Sequence, residues 1–168
     1  MKYIFVEGYD DKNFVNEIIN KKEIFRVIEY SGKKKEKIDG YLLTINKMQE
    51  EYIFLADLDE KNKEDRIEEL KKRFKNLDES KIYFSIQEIE AWYLSGVSDK
   101  YVKKYKIKDK LLNDTENITK EKFEKIFVSK RETILEIKLN LLSQFNVDKA
   151  KSRNNSLKVF LENAVWLF

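Results

Sequence analysis

The chain has 168 residues, of which 42% are hydrophobic and 39% are charged, with a formal net charge of +3. This apolar content is enough to bury the core of a folded domain, which excludes a disordered, charge-rich polymer. The chain contains no Cys and no His, which excludes a disulfide framework, a thiol nucleophile, a Cys/His zinc site and an imidazole general base. Any metal must therefore be held by oxygen atoms, which favours Mg²⁺, Mn²⁺ or Ca²⁺.

Charge is divided unevenly along the chain. Residues 1–96 hold 18 Lys and Arg against 21 Asp and Glu, whereas residues 97–168 hold 16 against 10. No apolar run approaches the roughly 20 residues that span a bilayer, and Glu7 interrupts the only apolar stretch near the start. We therefore expect a cytoplasmic protein that does not associate with membranes and has an acidic front and a basic back.

The front half alternates strand-like and helix-like segments. Four apolar, β-rich runs are separated by segments whose apolar residues follow helical spacing, and this alternation predicts βαβ crossovers. Nearly continuous apolar strands favour a parallel sheet that is covered on both faces. We expect a Rossmann-like α/β domain over residues 1–96, with a four-stranded, mainly parallel sheet flanked by helices. The predicted strands are 2–6, 23–30, 52–56 and 81–86, and the predicted helices are 11–21, 36–50, a third around Ile67, Leu70 and Phe74, and 87–96.

The back half shows no further strand and predicts a basic helical extension over residues 97–168. A short helix is expected over 120–128, and "SKRE" (129–132) has the spacing of a capping box that opens a helix over 134–142. A final apolar helix closes the chain, with its start marked by Asn154, Asn155 and Ser156. Trp166 and Phe168, in the terminal "VWLF", belong either to the core or to a dimer or partner surface.

Acidic residues follow three of the predicted strands at the point where each strand ends. Glu7 follows the first, Asp57 and Asp59 follow the third, and Glu88 and Glu90 come just after the fourth. Ligands of open parallel sheets lie beyond the carboxyl ends of the strands, so these acids are expected at one edge. In an extended chain, Asp57 and Asp59 point the same way while Leu58 turns inward. One or two divalent cations would offset the repulsion within such a cluster.

Structural alternatives exist for each of these acids. Asp10 and Asp11 fit N-caps of the first helix as well as ligands. An Asp-x-Asp pair alone is a weak signal in a chain with 31 acidic residues. Glu88 and Glu90 lie at the border of an apolar helical stripe, so their spacing does not decide between a solvated surface and a metal site. The prediction of a metal site therefore rests on the occurrence of acids at several strand ends together.

These residues resemble a known superfamily. "YIFVEGYDD" followed by a helix, then "IFLADLDE" about 50 residues later, resembles the TOPRIM (topoisomerase–primase) domain, with its Glu-Gly after the first strand and Asp-x-Asp after the third. "EIEAWYL" narrows the resemblance to small stand-alone proteins of the overcoming-lysogenization-defect (OLD)-like branch, and "YSGKKKEKI" is similar to their Gly-Lys-rich turn after the second strand. The resemblance covers residues 2–96.

The resemblance implies a metal-dependent nuclease that uses Mg²⁺ or Mn²⁺. It implies that Glu7 is the first metal ligand or the general base, that Asp11 stands where the branch usually has Glu, that Asp57 and Asp59 are ligands, and that Glu90, with Glu88, completes the site. Branch members often carry an ATPase domain and act in phage defence or DNA processing. No phosphate-binding Gly-x-x-x-x-Gly-Lys-Ser/Thr loop occurs in this chain, so an ATPase partner would be a separate chain.

The basic back half supplies candidate contacts to nucleic-acid phosphates. "YVKKYKIKDK" interleaves two tyrosines with five lysines, and lysines contact phosphates without reading sequence. The favoured alternative for this segment is a solvated helix with both tyrosines packed inward. Cations before a helix start form an anion site, although plain capping and surface charge explain them equally. The candidate contacts are Lys103, Lys104, Lys130, Arg131, Lys149, Lys151 and Arg153.

Three functions are therefore open. The first is a phosphodiesterase acting on DNA or RNA, and it predicts cleavage. The second is a metal- and nucleic-acid-binding module that acts as a partner or regulatory subunit, and it predicts binding without cleavage. The third is a structural α/β domain whose acids cap helices, and it predicts no affinity for Mn²⁺.

Overall fold

The computed structural model describes residues 1–19, 25–128 and 130–163. The chain divides into two compact units, of which the first comprises Met1–Phe84 and the second begins at Ser85. This division precedes Gly96, where composition and patterning placed the boundary, so Glu88 and Glu90 lie in the second unit. Among the helices that can be described, none is both long and apolar enough to cross a bilayer.

The first unit alternates strands and helices, as the sequence predicts. A four-stranded, all-parallel sheet is flanked by helices, which confirms the α/β fold class. The second predicted strand begins at residue 23, and residues 23 and 24 fall outside the described part of the chain. The elements in chain order are β1 (Lys2–Val6), α1 (Tyr9–Ile18), β2 (Phe25–Glu29), α2 (Lys35–Lys47), β3 (Glu51–Asp57), α3 (Lys63–Arg73), a 3₁₀ turn (Glu79–Lys81) and β4 (Ile82–Ser85).

The strand order is β2-β1-β3-β4, which places β1 and β3 at the centre of the sheet. β1 pairs in parallel with both of its neighbours, and Phe5 lies opposite Ile28 on one side and Phe54 on the other. Because the strands are parallel and in register, their carboxyl ends reach the same edge of the sheet. Whatever follows β1, β2 and β3 in the chain therefore begins at that edge.

The central strands are buried on both faces, which explains why their sequences are apolar without alternation. Phe5 and its neighbours in β1, Ile4 and Val6, are fully buried. Phe54 of β3 stacks on Tyr30 with ring centroids 4.5 Å apart and lies 5.8 Å from the ring of Phe5. Such aromatic pairs add about 0.5–1.5 kcal/mol beyond their burial, so this cluster fixes the end of β2 against β3.

The second unit is helical, and no strand follows Ser85 within the described residues. Its helices are shorter and more numerous than expected, because the basic stretch after Gly96 and the region before Asn154 each form a helix. The helices are α4 (Glu90–Ser95), α5 (Asp99–Tyr105), α6 (Lys120–Phe127), α7 (Ile134–Ser143), α8 (Val147–Arg153) and α9 (Asn155–Asn163), with a 3₁₀ turn at Asp109–Leu111.

Of two predictions at helix starts, one is wrong and one is confirmed. The capping box of α7 is formed by Thr133 and Glu136, one turn after the predicted "SKRE", and Ser129 of that motif lies outside the described residues. The predicted start of the final helix is confirmed, because α9 begins at Asn155, and a separate helix that was not predicted, α8, precedes it. The predicted apolar terminus with Trp166 and Phe168 also lies outside the described residues.

Candidate functional site

The acids predicted at the strand ends of the first unit lie at the carboxyl edge of the parallel sheet. Glu7 follows the last residue of β1, and Asp57 is the last residue of β3. Asp11 belongs to the first turn of α1, which starts two residues after Glu7. Two neighbouring strand ends and one helix start therefore bring these carboxylates to one edge of the sheet.

The structure contradicts the alternative in which Asp10 and Asp11 are N-caps of the first helix. The cap of α1 is Gly8, and both acids lie inside the first helical turn. The Gly8 N–H donates to Asp11 Oδ2 at 3.1 Å, so Asp11 satisfies the backbone donor of the cap from within the helix. Asp11 is only 6% exposed, and its Oδ1 atom is buried. The capping contact thus holds an acidic side chain in a largely buried position beside the strand ends.

Asp59 reaches the site through a turn instead of an extended strand. β3 ends at Asp57, and Asp59 and Glu60 have φ angles of 51° and 63°. The alternation argument for Asp57 and Asp59 is therefore wrong, although Leu58 is buried as predicted. Two consecutive non-glycine residues in the left-handed region are uncommon, and such conformations concentrate at functional sites.

Tyr30 is a site residue that the sequence analysis missed. It follows β2, inside the quoted "YSGKKKEKI", and its hydroxyl lies 3.2 Å from the carbonyl oxygen of Leu55 and 3.3 Å from Glu7 Oε2. A phenol has one hydrogen to donate, so these two acceptors share it. The contact anchors the Glu7 carboxylate to the aromatic core beneath the sheet edge.

The acids of the sheet edge affect the pKa of Tyr30. Burial raises the pKa of Tyr30 well above its usual value, and the negative charges of Glu7, Asp11 and Asp57 raise it further. Arg66 acts in the opposite direction. Three carboxylates from separate elements therefore contribute to the electrostatic environment of a single buried hydroxyl.

Arg66 is the second residue that the sequence analysis missed. It lies in α3, largely buried, and its Nε donates to the Asp57 carbonyl oxygen at 2.9 Å. Its Nη1 donates to Glu69 at 2.9 Å, and its Nη2 lies 3.8 Å from Glu7 Oε2 and 3.9 Å from Asp59 Oδ2. One guanidinium thus bridges two of the predicted metal ligands and holds the end of β3.

The pKa of Arg66 shows that its neighbours outweigh its burial. Burial by itself lowers the pKa, but the hydrogen bond to Glu69 and the negative charges of Glu69 and Glu7 raise it above the usual value of an arginine. The guanidinium therefore stays positive and offsets part of the acidic charge. A signal for this residue was present, because Arg66, Leu70 and Phe74 follow four-residue spacing on the buried stripe of α3.

The carboxylates at this edge have suitable donor atoms for a divalent cation, but they are not already arranged as a coordination site. Carboxylate oxygens are what Mg²⁺ and Mn²⁺ prefer. Across residues 1–19, 25–128 and 130–163, however, no group of three or more Asp or Glu side chains is close enough to hold a metal ion. Because Arg66 contacts both Glu7 and Asp59, a cation bound by those two residues would have to displace the guanidinium from its long contacts. The predicted ligand roles of Glu7, Asp11, Asp57 and Asp59 stay predictions.

Glu88 and Glu90 have partners inside the second unit. Glu88 Oε2 accepts the backbone N–H of Lys120, the first residue of α6, at 2.6 Å. Glu90 is buried, and its Oε1 lies 2.6 Å from Nζ of the buried Lys138. Glu88 thus adds a negative charge to a helix N-terminus, and Glu90 forms an internal ion pair. Their predicted role as metal ligands remains untested.

Several predicted nucleic-acid contacts are engaged within the second unit. Lys104 pairs with Glu132 at 2.7 Å, and Lys149 pairs with Asp99 at 2.6 Å. Arg153 donates to two backbone carbonyls, at 3.1 and 3.3 Å, and burial lowers its pKa. The other predicted contacts are Lys103 and Arg131, which are exposed, and Lys130 and Lys151, which are partly exposed.

The predicted anion site before the last helix is filled by the chain itself. The backbone N–H groups of Asn155 and Ser156, at the start of α9, donate to the carboxylate of Glu116 at 2.8–3.2 Å. Asn154 Oδ1 accepts the N–H of Leu157 at 2.8 Å and completes the cap. An external phosphate at this helix start would have to displace Glu116.

Comparison with protein-family models, with curated proteins and with solved structures finds no match to the chain.

Proposed function

We propose that the first unit is a TOPRIM-like site and that the protein is a divalent-metal-dependent phosphodiesterase acting on nucleic acid. The observation that carries this proposal is the placement of Glu7, Asp11 and Asp57 at one edge of the sheet, where Glu7 Oε2 lies 3.3 Å from the Tyr30 hydroxyl and Arg66 contacts both Glu7 and the Asp57 carbonyl oxygen. These acids come from a strand end, a helix start and a neighbouring strand end, in the order that the TOPRIM resemblance requires. The resemblance to OLD-like nucleases then supplies the chemistry.

In this proposal, Asp57 and Asp59 hold Mg²⁺ or Mn²⁺ with Asp11 beside them, and Glu7 is either a further ligand or the general base. When bound, the ion would activate water and stabilise charge on the phosphate. Glu7 is the candidate general base, because the chain has no His and because its side chain is 38% exposed and can exchange protons with solvent. Tyr30 remains a neutral donor and fixes the orientation of the Glu7 carboxylate.

Arg66 acts as the internal counter-ion of the site. Its contacts to Glu7 and Asp59 are long, at 3.8 and 3.9 Å, whereas those to the Asp57 carbonyl and Glu69 are 2.9 Å. The short contacts hold the guanidinium in place without help from Glu7 or Asp59. A cation could therefore replace the long contacts of Arg66 to Glu7 and Asp59, while Arg66, held by its short contacts, still offsets part of the acidic charge.

A second function is favoured by one observation. Because no three carboxylates form a group that could hold a metal ion among the residues described, the unit also suits a non-catalytic module that binds metal weakly and nucleic acid. Such a module would be a partner or regulatory subunit, for example of a separate ATPase chain in phage defence. Either role belongs in the cytoplasm, where Mg²⁺ and nucleic acid are both present.

The deciding experiment is a cleavage assay on plasmid DNA, single-stranded DNA and RNA with Mn²⁺ or Mg²⁺. We expect cleavage by the wild type and a loss of about 10²–10⁴-fold in the Glu7→Gln and Asp57→Asn variants, the range typical of acid–base groups. Glu64→Gln is the matched control, because Glu64 is an exposed acid of α3 in the same unit. It should cleave like the wild type.

The outcomes separate the proposed functions. Metal-dependent cleavage that both site variants lose supports the phosphodiesterase. If the protein binds nucleic acid and no preparation of it cleaves nucleic acid, the non-catalytic module is supported. Cleavage that survives in both Glu7→Gln and Asp57→Asn would show that a contaminant performs the reaction and would remove the first proposal.

A further inference from the structure

The second unit carries a cavity of about 440 Å³ whose polar lining is entirely lysine. This volume lies within the roughly 300–1,000 Å³ of small-molecule sites. No Asp or Glu lines the cavity. We call it the lysine groove, defined by Lys106, Lys108, Lys110, Lys122 and Lys125.

The charge of the lysine groove is not neutralised from within. In the described part of the chain, none of its five lysines forms an ion pair, and Lys122 donates only to the carbonyl oxygen of Asn117, at 3.0 Å. Lys104 and Lys149, elsewhere in the same unit, each have a carboxylate partner within 2.7 Å. Five like charges around one cavity repel each other, and an anionic ligand would relieve that repulsion.

The local structure places lysines, and not the neighbouring glutamates, along the groove. Lys122 and Lys125 are three residues apart in α6 and share one helix face, whereas Glu121 and Glu124 of the same helix do not line the cavity. Lys106 ends α5 with a φ of 56°, which turns the chain toward the next 3₁₀ segment. Lysines from two separate segments thereby face a common space.

The rest of the lining is apolar and includes Ile107, Ile118 and Ile126. Lysine side chains also present apolar stems below their charged ends. A ligand that matches both features needs several negative charges and an apolar surface. Unpaired nucleic acid has both, because its bases are free to lie on an apolar floor, whereas a duplex keeps its bases stacked inside and offers phosphates alone.

We propose that the lysine groove binds single-stranded nucleic acid, with phosphates on the lysines and a base on the apolar floor. The identity of the ligand rests on the proposed function, since that function makes nucleic acid the substrate. The proposal adds a binding site that shares the "YVKKYKIKDK" segment with the sequence prediction, through Lys106, Lys108 and Lys110, but uses none of the seven cations named there. It also adds a preference for single strands.

The test is fluorescence anisotropy of labelled single-stranded and duplex oligonucleotides with the full chain in EDTA, where no metal-dependent cleavage occurs. The variant is Lys108→Gln with Lys125→Gln, because neither side chain forms a hydrogen bond or an ion pair among the described residues, and Lys125 has only an electrostatic attraction to the exposed Glu121 of its own helix. The matched control is Lys120→Gln with Lys158→Gln, which removes the same charge from exposed lysines outside the groove.

We expect the groove variant to bind single strands roughly 10-fold more weakly, and the control to bind within about 2-fold of the wild type. The slope of log K against log salt should fall by about 0.7 for each phosphate contact that is lost, hence by about 1.4 for the groove variant. Tighter binding of single strands than of duplex by the wild type is also expected.

Two results would overturn this inference without affecting the proposed function. One is equal binding by the groove variant and the control while cleavage in Mn²⁺ persists. The other is equal affinity for duplex and single strands. Conversely, groove-dependent binding with no cleavage under any metal would overturn the phosphodiesterase and leave the groove in place. If the wild type binds no oligonucleotide in EDTA, the groove proposal fails, and the cleavage assay still decides the function.

Discussion

Two side chains, Tyr30 and Arg66, determine the electrostatics of the acidic edge. Tyr30 places a buried neutral donor against Glu7, and Arg66 places a positive charge against Glu7 and Asp59. Both side chains are largely buried, so their interactions are weakly screened by solvent. Together they hold acids near one another that would otherwise repel.

The raised pKa of Tyr30 predicts a specific pH dependence of stability. An unfolded tyrosine ionises at about pH 10, while burial and the charges of Glu7, Asp11 and Asp57 keep folded Tyr30 protonated above that pH. Its contribution to stability is therefore fully present below about pH 10 and is lost as the pH rises toward its folded pKa. We expect Tyr30→Phe to lower the free energy of unfolding by about 1 kcal/mol at neutral pH, because the hydrogen bond is lost. Above pH 10, the stability of this variant should fall less than that of the wild type, because the variant has no phenol to ionise.

Urea unfolding at neutral and alkaline pH measures this effect. Tyr9→Phe is the matched control, because Tyr9 is 58% exposed in the same unit. The control should follow the wild type at both pH values. If Tyr30→Phe and Tyr9→Phe respond equally to alkaline pH, the buried electrostatics described for Tyr30 are wrong.

The sequence identified the acids of the edge more readily than their partners. Glu7 and Asp57 were predictable because each directly follows a continuous apolar run, which marks the end of a buried strand. Asp59 was found through its spacing, but its left-handed backbone conformation was not foreseen. Tyr30 and Arg66 were missed because an aromatic and an arginine in amphipathic segments fit ordinary core and surface positions, and only tertiary contacts give them a role.

In the second unit, a buried ion pair joins α4 and α7. The side chains of Glu90 and Lys138 are 5% and 3% exposed, and their charged atoms are 2.6 Å apart. The ammonium also lies 5.4 Å from the ring centroid of Tyr93 and 5.7 Å from that of Phe123. The pair and the two rings link three helices, α4, α6 and α7, in one cluster.

We expect the loss of one partner of this pair to be far more costly than the loss of both. Glu90→Leu leaves the Lys138 ammonium buried without its carboxylate and should lower the free energy of unfolding by about 3–5 kcal/mol. Adding Lys138→Met should recover most of that loss, because an apolar pair of similar volume is often neutral or stabilising. Chemical denaturation of the two variants measures the difference.

Glu88→Gln serves as the control for this comparison. Its contact to the start of α6 lies at the surface, and the substitution should change stability by no more than about 1 kcal/mol. A double variant as unstable as Glu90→Leu alone would show that the buried pair is not the source of the cost.

For the whole molecule, the uneven charge of the sequence has a structural counterpart in each unit. The first unit gathers acids at the carboxyl edge of its sheet, and the second gathers unpaired lysines around the groove. In the proposed phosphodiesterase, the acidic edge would bind a cation and the basic groove would bind phosphates, which are complementary requirements of that reaction. This correspondence is why we join the two features in one function.

The same reasoning predicts that metal stabilises the intact protein. A ligand that binds only the folded state at 100 times its Kd adds about 2.7 kcal/mol, so saturating Mn²⁺ should raise the Tm and EDTA should reverse the increase. Glu7→Gln should lose the increase, and Glu64→Gln should keep it. An equal increase in Glu7→Gln and wild type, measured by thermal unfolding, would assign the effect to surface carboxylates elsewhere.

The sequence by itself determined the fold class, the parallel strands and the edge at which the acids collect. These follow from local pattern, since buried parallel strands need continuous apolar runs and their carboxyl ends must share an edge. It also predicted the starts of α6, α7 and α9, but not the side chains that cap α7 and α9, because capping depends on which side chain reaches an N–H first, as Thr133 and Glu116 do here.

Only the tertiary structure decided which charges are neutralised. Arg66 reaches Glu7 and Asp59, and Lys138 reaches Glu90, across sequence separations that no periodicity encodes. The lysines of the groove are left without carboxylates for the same reason. The energy of a charge depends on the distance to its partner and on its exposure to water, and both are properties of the folded chain.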